Sequence, residues 1–156
     1  MTERPDLAVI MFDYVPSGVV LNALRIAGAA HHAGIRTEVW TAQQVGDMIH
    51  EVLPGVAVRD LGLSLGEVYK PRARKVALGR MAKPLARLLH DVRPRVLLSA
   101  GNHFHTAAVA AVRRLKGEEP PRLIGRVSNA LPRFSWNPIR LPSSIKKRIA
   151  TLSSIC

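Results

Sequence analysis

The segment after residue 100 holds a group of side chains suited to chemistry, Asn102, His103 and His105. Amide and imidazole groups hydrogen-bond hydroxyls, and imidazole also binds zinc. A zinc site would need at least one more ligand from elsewhere, and the single cysteine of the chain is the terminal Cys156. We therefore predict no metal and assign Asn102 and His103 to hydrogen bonding of a substrate, with helix capping and packing as the alternative.

A second group lies after the first apolar run, in Pro16-Ser17-Gly18. If a helix begins there, the backbone N–H groups at Ser17 and Gly18 would receive an anion or a substrate hydroxyl. A tight turn without a ligand is the alternative. The triple-glycine dinucleotide pattern is missing, and the second strand ends at Trp40-Thr41 instead of an acid that would hold a ribose, which disfavours an NAD-type oxidoreductase.

The third group is a cationic segment. Nine Lys or Arg residues stand between Lys70 and Arg95 against one acid, Asp91. A basic amphipathic helix of this kind is typical of a domain that sits on anionic headgroups, and a solvated face is the alternative. Nucleic acid is disfavoured because Tyr69 is the one aromatic residue nearby and no nucleic-acid motif is present. We assign the following residues to this anion face: Lys70, Arg72, Arg74, Lys75, Arg80, Lys83 and Arg87.

Strand-like and helix-like segments alternate along the chain, which predicts βαβ units with right-handed crossovers. The predicted strands are Leu7–Phe12, Arg36–Trp40, Val56–Asp60, Arg95–Ala100 and Leu123–Val127. The predicted helices are Val19–His32 with Ser17 as cap and Gly34 as stop, Gln43–Val52, a helix through Leu78–Leu89 that is kinked or divided at Pro84, Thr106–Leu115 and Ser143–Leu152.

This alternation predicts an α/β fold: a Rossmann-like, doubly wound parallel sheet in three layers, forming a single domain. We place the domain at residues 1–131 and a Pro-containing segment with a short helix at 132–156. Ligands of such sheets bind outside the carboxyl ends of the strands. We therefore expect three loops to converge on one edge: Asp13–Gly18, Gly101–His105 and Ser128–Phe134.

Composition limits the setting of this domain. The chain has 156 residues, of which 47% are hydrophobic and only 4% aromatic, as expected for a sheet buried between helices. A lone cysteine suits a reducing compartment. The first apolar run is too short for a signal peptide, and the net charge is +12. We predict a cytoplasmic protein, peripheral on the inner face of the membrane.

Three stretches together resemble the N-terminal domain of family 4 glycosyltransferases of the GT-B fold. Ser17-Gly18-Val19-Val20-Leu21-Asn22, followed by Leu24, Ala27, Gly34 and Glu38-Val39-Trp40-Thr41, is similar to the glycine-bearing loop, helix and second strand that open that domain. The stretch from Arg93 to His103 resembles a later strand with its loop, and the stretch from Arg122 to Asn129 resembles the strand that follows.

The resemblance implies half of a GT-B enzyme, namely the half that binds the acceptor of a retaining transferase. The implied acceptor-binding residues are Ser17, Gly18, Asn102, His103 and Asn129, with no catalytic residue assigned. The chain departs from the family at two places. Many members have a Gly-Gly pair in the first loop, where this chain has Ser17-Gly18 followed by Val19-Val20. Many members also carry His or Arg at the position of Ser128.

The family binds its nucleotide sugar in a C-terminal domain that has two glutamates eight positions apart, and no pair with that spacing occurs in this sequence. The resemblance therefore implies no cofactor on this chain, a donor domain supplied in trans or otherwise missing through truncation, and no sugar transfer by the chain alone. The expected acceptor is a glycan, such as an envelope polysaccharide, or a lipid-linked molecule. The alternative is a non-catalytic Rossmann-like binding module whose basic face binds nucleic acid or an acidic partner.

Overall fold

The computed structural model describes residues 4–64, 71–101, 104–117 and 119–127, and for residues 71–75 it describes the backbone alone. The strands are β1 (Leu7–Met11), β2 (Thr37–Thr41), β3 (Ala57–Asp60), β4 (Val96–Ala100) and β5 (Arg122–Arg126). The α-helices are α1 (Gly18–His32), α2 (Pro71–Val92) and α3 (His105–Val112), and a 3₁₀ helix spans Asp47–Glu51. The predicted helix Ser143–Leu152 and the predicted domain boundary at 131/132 lie outside the described residues.

The five strands form one parallel sheet in the order β3-β2-β1-β4-β5. β1 lies at the centre, and the chain adds strands first on one side of it and then on the other. Helix α1 and the 3₁₀ helix pack on one face, whereas α2 and α3 pack against each other on the opposite face. The predicted α/β, doubly wound, three-layer fold is confirmed.

The central strands are buried on both faces because helices cover both sides. In β1, Val9 and Met11 pack among α1 residues, and Ala8 and Ile10 pack with α2 and α3. Removing a large aliphatic side chain such as Ile10 from water contributes about 1.5–3 kcal/mol. The near-continuous apolar character of β1 and β4 follows from this double burial.

Helix α1 begins and ends where its sequence signals predict. Ser17 has extended backbone angles, and its Oγ accepts a hydrogen bond of 3.2 Å from the Val20 N–H. Gly34 follows the helix with φ of +78°, a left-handed conformation that glycine adopts without strain. The N-terminus of α1 is thereby fixed directly after β1.

The predicted helix Gln43–Val52 is wrong, because only the 3₁₀ helix Asp47–Glu51 forms there. The preceding backbone is bonded to the β1–α1 loop instead: the Tyr14 N–H donates to the Val45 carbonyl (2.7 Å) and the Met48 N–H to the Tyr14 carbonyl (3.1 Å). Gly46 lies against Tyr14 with φ of +109°, which no helix contains. These long-range bonds replace the local ones that helical periodicity predicts.

Helix α2 is continuous through Pro84, so the predicted division at that residue does not occur. Proline removes the bond to the Arg80 carbonyl, and because Arg80 is exposed, water can take that place. Pro71 stands at the first helical position, where its missing N–H costs nothing. The predicted apolar stripe and the opposite cationic face are both present: Met81, Leu85 and Leu89 are buried, and Arg80, Lys83 and Arg87 are exposed.

One buried carboxylate is fully engaged in structural contacts. Glu38 of β2 is 7% exposed, and its oxygens accept from Arg59 Nε (2.7 Å), Arg59 Nη2 (3.0 Å) and Trp40 Nε1 (2.7 Å). Charge-assisted bonds compensate the desolvation of such a group. Glu38 therefore ties β2 to β3 and is unavailable as a ligand-binding acid.

The close approach of Gly46 to the β1–α1 loop gives a stability test. An added Cβ at Gly46 would lie 2.2 Å from the Tyr14 carbonyl carbon, whereas one at Gly62, also at positive φ, would meet nothing within 4 Å. We expect Gly62→Ala to lower the free energy of unfolding by about 1–2 kcal/mol, from strain alone. Gly46→Ala adds steric overlap and should cost about 3 kcal/mol or more. Urea denaturation measures both, and equal losses would contradict the packing described for Gly46.

Candidate functional site

A crevice is expected where the strand order reverses, between the carboxyl ends of β1 and β4. The loop that joins β1 to α1 and the loop that joins β4 to α3 flank this point. Two of the three loops predicted to converge, Asp13–Gly18 and Gly101–His105, therefore leave the sheet at its carboxyl edge from adjacent strands. The third, Ser128–Phe134, lies outside the described residues.

Two contacts tie these loops together, one on each face of the sheet. On the α2 and α3 face, the rings of Phe12 and Phe104 are tilted against each other with centroids 5.5 Å apart. On the α1 face, Gly101 has φ of +94°, and an added Cβ would lie 3.1 Å from Val19 Cγ1. Glycine is therefore required at position 101 both by its backbone conformation and by its contact with α1. The two loops are therefore joined on both faces of the sheet.

Asp13 lies at the exit of β1 and was not assigned as a site residue from sequence. Its Oδ1 accepts a hydrogen bond of 3.1 Å from the Val15 N–H, which shapes the loop. Burial raises the pKa of Asp13, and the bonds from the Val15 N–H and the Gln43 side chain oppose that rise. A carboxyl group directly after a buried strand is the sequence signal that could have identified it.

The residue at the end of β2 also bears on the site. Thr41 occupies the position where a dinucleotide-binding sheet carries the acid for a ribose, and it is 0% exposed. Tyr14 is also 0% exposed, and burial raises the pKa of its phenol, with Asp60 adding to the rise and Thr41 opposing it. Buried hydroxyl groups thus occupy this edge of the sheet.

The predicted acceptor-binding residues fall into two sets. Ser17 and Gly18 are exposed at the N-terminus of α1, beside the point where the strand order reverses, and an added Cβ at Gly18 would meet nothing within 4 Å. Asn102, His103 and Asn129 lie outside the described residues. In the anion face, Arg80, Lys83 and Arg87 are exposed along α2. Lys70 and the side chains of Arg72, Arg74 and Lys75 lie outside the described part of the chain.

His105, the first residue of α3, forms a polar contact that sequence reasoning did not assign. Its Nδ1 lies 3.0 Å from Oγ of the buried Ser99, and its ring lies over Gly125, where an added Cβ would be 3.2 Å from the ring. Burial lowers the pKa of His105, and the Arg126 backbone partly opposes this effect. Ser99 and Gly125 pair in register on the neighbouring strands β4 and β5. A hydroxyl group and the space left by a glycine therefore face the start of α3 together, and this pairing is the sequence signal for the contact.

In the described part of the chain, no three His, Cys, Asp or Glu side chains come together as a metal-binding group. Over the same residues, no helix combines the length and apolar character needed to cross a membrane. Ser17, Gly18 and Asp13 lie at the carboxyl edge near α1. They suit hydrogen bonding to hydroxyls of a ligand.

The His105 contact predicts a pH-dependent stability. The ordinary pKa of histidine is 6.5, and the folded value is lower, so the folded state binds fewer protons than the unfolded state below that pH. The free energy of unfolding should therefore fall as the pH is lowered from about 7 to about 5. We expect His105→Gln to lose part of this dependence, and His32→Gln, at an exposed position, to keep it. Urea titrations at each pH measure this, and identical pH profiles for the two variants would contradict it.

Comparison with known proteins finds similarity at the level of structure. No family model and no curated protein matches the chain. A crystal structure of UDP-GlcNAc 2-epimerase from Neisseria meningitidis bound to UDP-GlcNAc is 17% identical with a TM-score of 0.47, covering 69% of this chain and 30% of that one. The glycosyltransferase SsfS6 of Streptomyces sp. SF2575 is 14% identical with a TM-score of 0.45, covering 78% and 39%. The chain thus spans well under half of either protein. Since one fold hosts many functions, neither activity is transferred to this chain.

Proposed function

We propose that this chain is the acceptor-binding part of a retaining glycosyltransferase of the GT-B fold, related to family 4. Its substrate in this proposal is a glycan or a lipid-linked acceptor, bound at the carboxyl edge. A nucleotide sugar bound by a separate donor domain supplies the transferred sugar. The proposal rests on the sequence resemblance and on the geometry of the carboxyl edge.

The observation that carries the proposal is the exposed N-terminus of α1 beside the point where the strand order reverses. Ser17 and Gly18 are exposed there, and Gly101 holds the neighbouring loop against Val19. Oriented N–H groups at a helix start attract the oxygen atoms of a ligand. We propose Asn102, His103 and Asn129 as further contacts, because they closely follow β4 and β5 in the sequence.

The chemistry of transfer explains why this part alone should bind but not react. A departing nucleoside diphosphate must be stabilised by groups that hold its developing charge. In our proposal those groups belong to the donor domain, whether it lies on the same polypeptide or on another. The part described here contributes the position of the acceptor hydroxyl, since holding two reactants in register accelerates their reaction.

We also propose that the cationic face of α2 docks the protein on an anionic membrane, at the inner surface in the cytoplasm. Arg80, Lys83 and Arg87 are exposed on this helix, and Val76 is 64% exposed on the same helix. Cationic heads around an apolar side chain suit the headgroup region of a bilayer. Such docking would keep the protein near a lipid-linked acceptor.

The acceptor site can be tested by placing a bulky side chain at the start of α1. Gly18→Trp places an indole at the start of α1, where an added Cβ meets no atom, and Gly79→Trp places the same group at an equally open position on α2. We expect the first variant to lose binding of glycan acceptors by about tenfold or more and the second to retain it. Ligand-observed NMR with a panel of oligosaccharides measures both. Equal binding by the two variants would contradict the site, and so would an unmodified protein that binds none of the panel.

The membrane proposal has its own test. Vesicles containing anionic lipid should sediment the protein at low salt, and Arg80→Glu with Lys83→Glu and Arg87→Glu should reduce the bound fraction by about tenfold or more. The control reverses three cations elsewhere, Arg113→Glu, Lys116→Glu and Arg122→Glu, so that both variants have the same net charge. Equal losses would show attraction by overall charge alone, and absence of binding by the unmodified protein would remove the membrane from the proposal.

A further inference from the structure

A second cationic surface lies at the amino edge of the sheet, opposite the candidate site. It consists of Arg36, Arg95, Arg113, Arg114, Lys116 and Arg122, all exposed, and we call it the amino-edge surface. All five strands of the described parallel sheet begin at this edge. The anion face assigned from the sequence includes none of these residues.

Contacts at the strand starts show that this surface is continuous. Asp6 before β1 accepts from Arg36 Nε (2.9 Å) and lies 3.3 Å from Arg95 Nε before β4. The Arg122 N–H, at the start of β5, donates to the Arg95 carbonyl (2.9 Å). Arg36, Arg95 and Arg122 therefore follow one another across the edge.

The ends of two helices add charge to the same edge. Helices α2 and α3 both run from the carboxyl edge to the amino edge, since each leads from the end of one strand to the start of another. Arg114 Nη1 donates to the Ala110 carbonyl at the end of α3 (2.8 Å), a structural role that favours a cation there. Arg113 and Lys116 are exposed beside it.

A groove of about 300 Å³ opens at the same edge, between the end of α1 and the start of β3. Apolar side chains line part of it, among them Pro5, Ile35 and Ala57. Ile35 is 40% exposed although it is a large aliphatic residue. The groove lies at one end of the amino-edge surface, and Arg36 belongs to its lining. An apolar anchor next to polar contacts is the anatomy of a protein interface.

Asp6 indicates which kind of anionic partner fits. Its hydrogen bond with Arg36 lowers its pKa, so Asp6 stays ionised within the cationic surface. Asp6 thus shows that the arginines of this edge bind a carboxylate. Arginine also forms bidentate pairs with carboxylates, as Arg36 does with Asp6 through Nε and Nη2. In the described part of this edge no Phe, Tyr or Trp ring is exposed for stacking bases.

We propose that the amino-edge surface binds an acidic segment of a partner protein, with an apolar side chain of that segment in the groove. The strands separate this surface from the candidate site by about 17 Å, so both can be occupied together. The inference stands on the charges and groove of this edge and does not depend on the proposed glycosyl transfer.

The full chain can be tested with a defined probe, a glutamate-rich peptide that carries one central leucine. Arg113→Glu with Lys116→Glu and Arg122→Glu should weaken peptide binding by about tenfold or more, with a steep dependence on salt. The control variant, Arg80→Glu with Lys83→Glu and Arg87→Glu, has the same net charge and should bind the peptide as the unmodified protein does. Fluorescence anisotropy measures the affinities, and circular dichroism checks that both variants fold.

The remaining outcomes are equally informative. Should the triple Glu variant fail to fold, replacement of the same three residues by Gln gives the same comparison without charge reversal. Ala57→Trp fills the groove and should weaken binding of the leucine-bearing peptide but not of plain polyglutamate. Equal losses in both triple variants would overturn the proposal, as would tighter binding of duplex DNA than of the peptide at the same salt concentration.

Discussion

The reversal of strand order at β1 is the constraint on which the rest of the structure depends. Because crossovers between parallel strands are right-handed, adding β2 on one side of β1 and β4 on the other places their helices on opposite faces. Helix α1 and helix α3 therefore leave the sheet in different directions from neighbouring strands. The gap between them is a consequence of topology, and it is where Ser17, Gly18 and Gly101 lie.

That gap has a definite shape because the loops around it are bonded to each other. The Tyr14 backbone pairs with Val45 and Met48, and Gly46 lies against it more closely than any side chain would allow. Phe12 with Phe104, and Gly101 with Val19, join the two flanking loops on opposite faces of the sheet. Hydrogen bonds between the loops satisfy the backbone groups at the carboxyl edge. These loops are therefore held in place although no α-helix forms at residues 43–52.

Local signals in the sequence predict elements whose contacts are themselves local or periodic. β1, α1 and the cationic face of α2 are found as predicted, because apolar runs, the Ser17 cap and 3.6-residue spacing report directly on burial. The helix predicted at residues 43–52 is not found, since hydrogen bonds of this segment go to a loop about thirty residues earlier in the chain. Helical periodicity carries no information about such distant partners. Pro84 shows the opposite case, where packing of Met81, Leu85 and Leu89 maintains a helix against a local breaker.

The candidate site divides in the same way. Ser17 and Gly18 could be placed at the carboxyl edge from the strand-turn-helix pattern alone, whereas the His105 contact depends on Ser99 and Gly125 meeting across two strands in register.

The distribution of charge depends on which acids are already paired. Glu38 and Arg59 neutralise each other inside the sheet, and Asp6 is engaged by Arg36 and Arg95, so these acids do not offset the cations on α2 or the far end of the amino edge. A net charge of +12 therefore separates into two surfaces with different neighbours, an amphipathic helix and the starts of the strands, and a single partner is not needed to account for both.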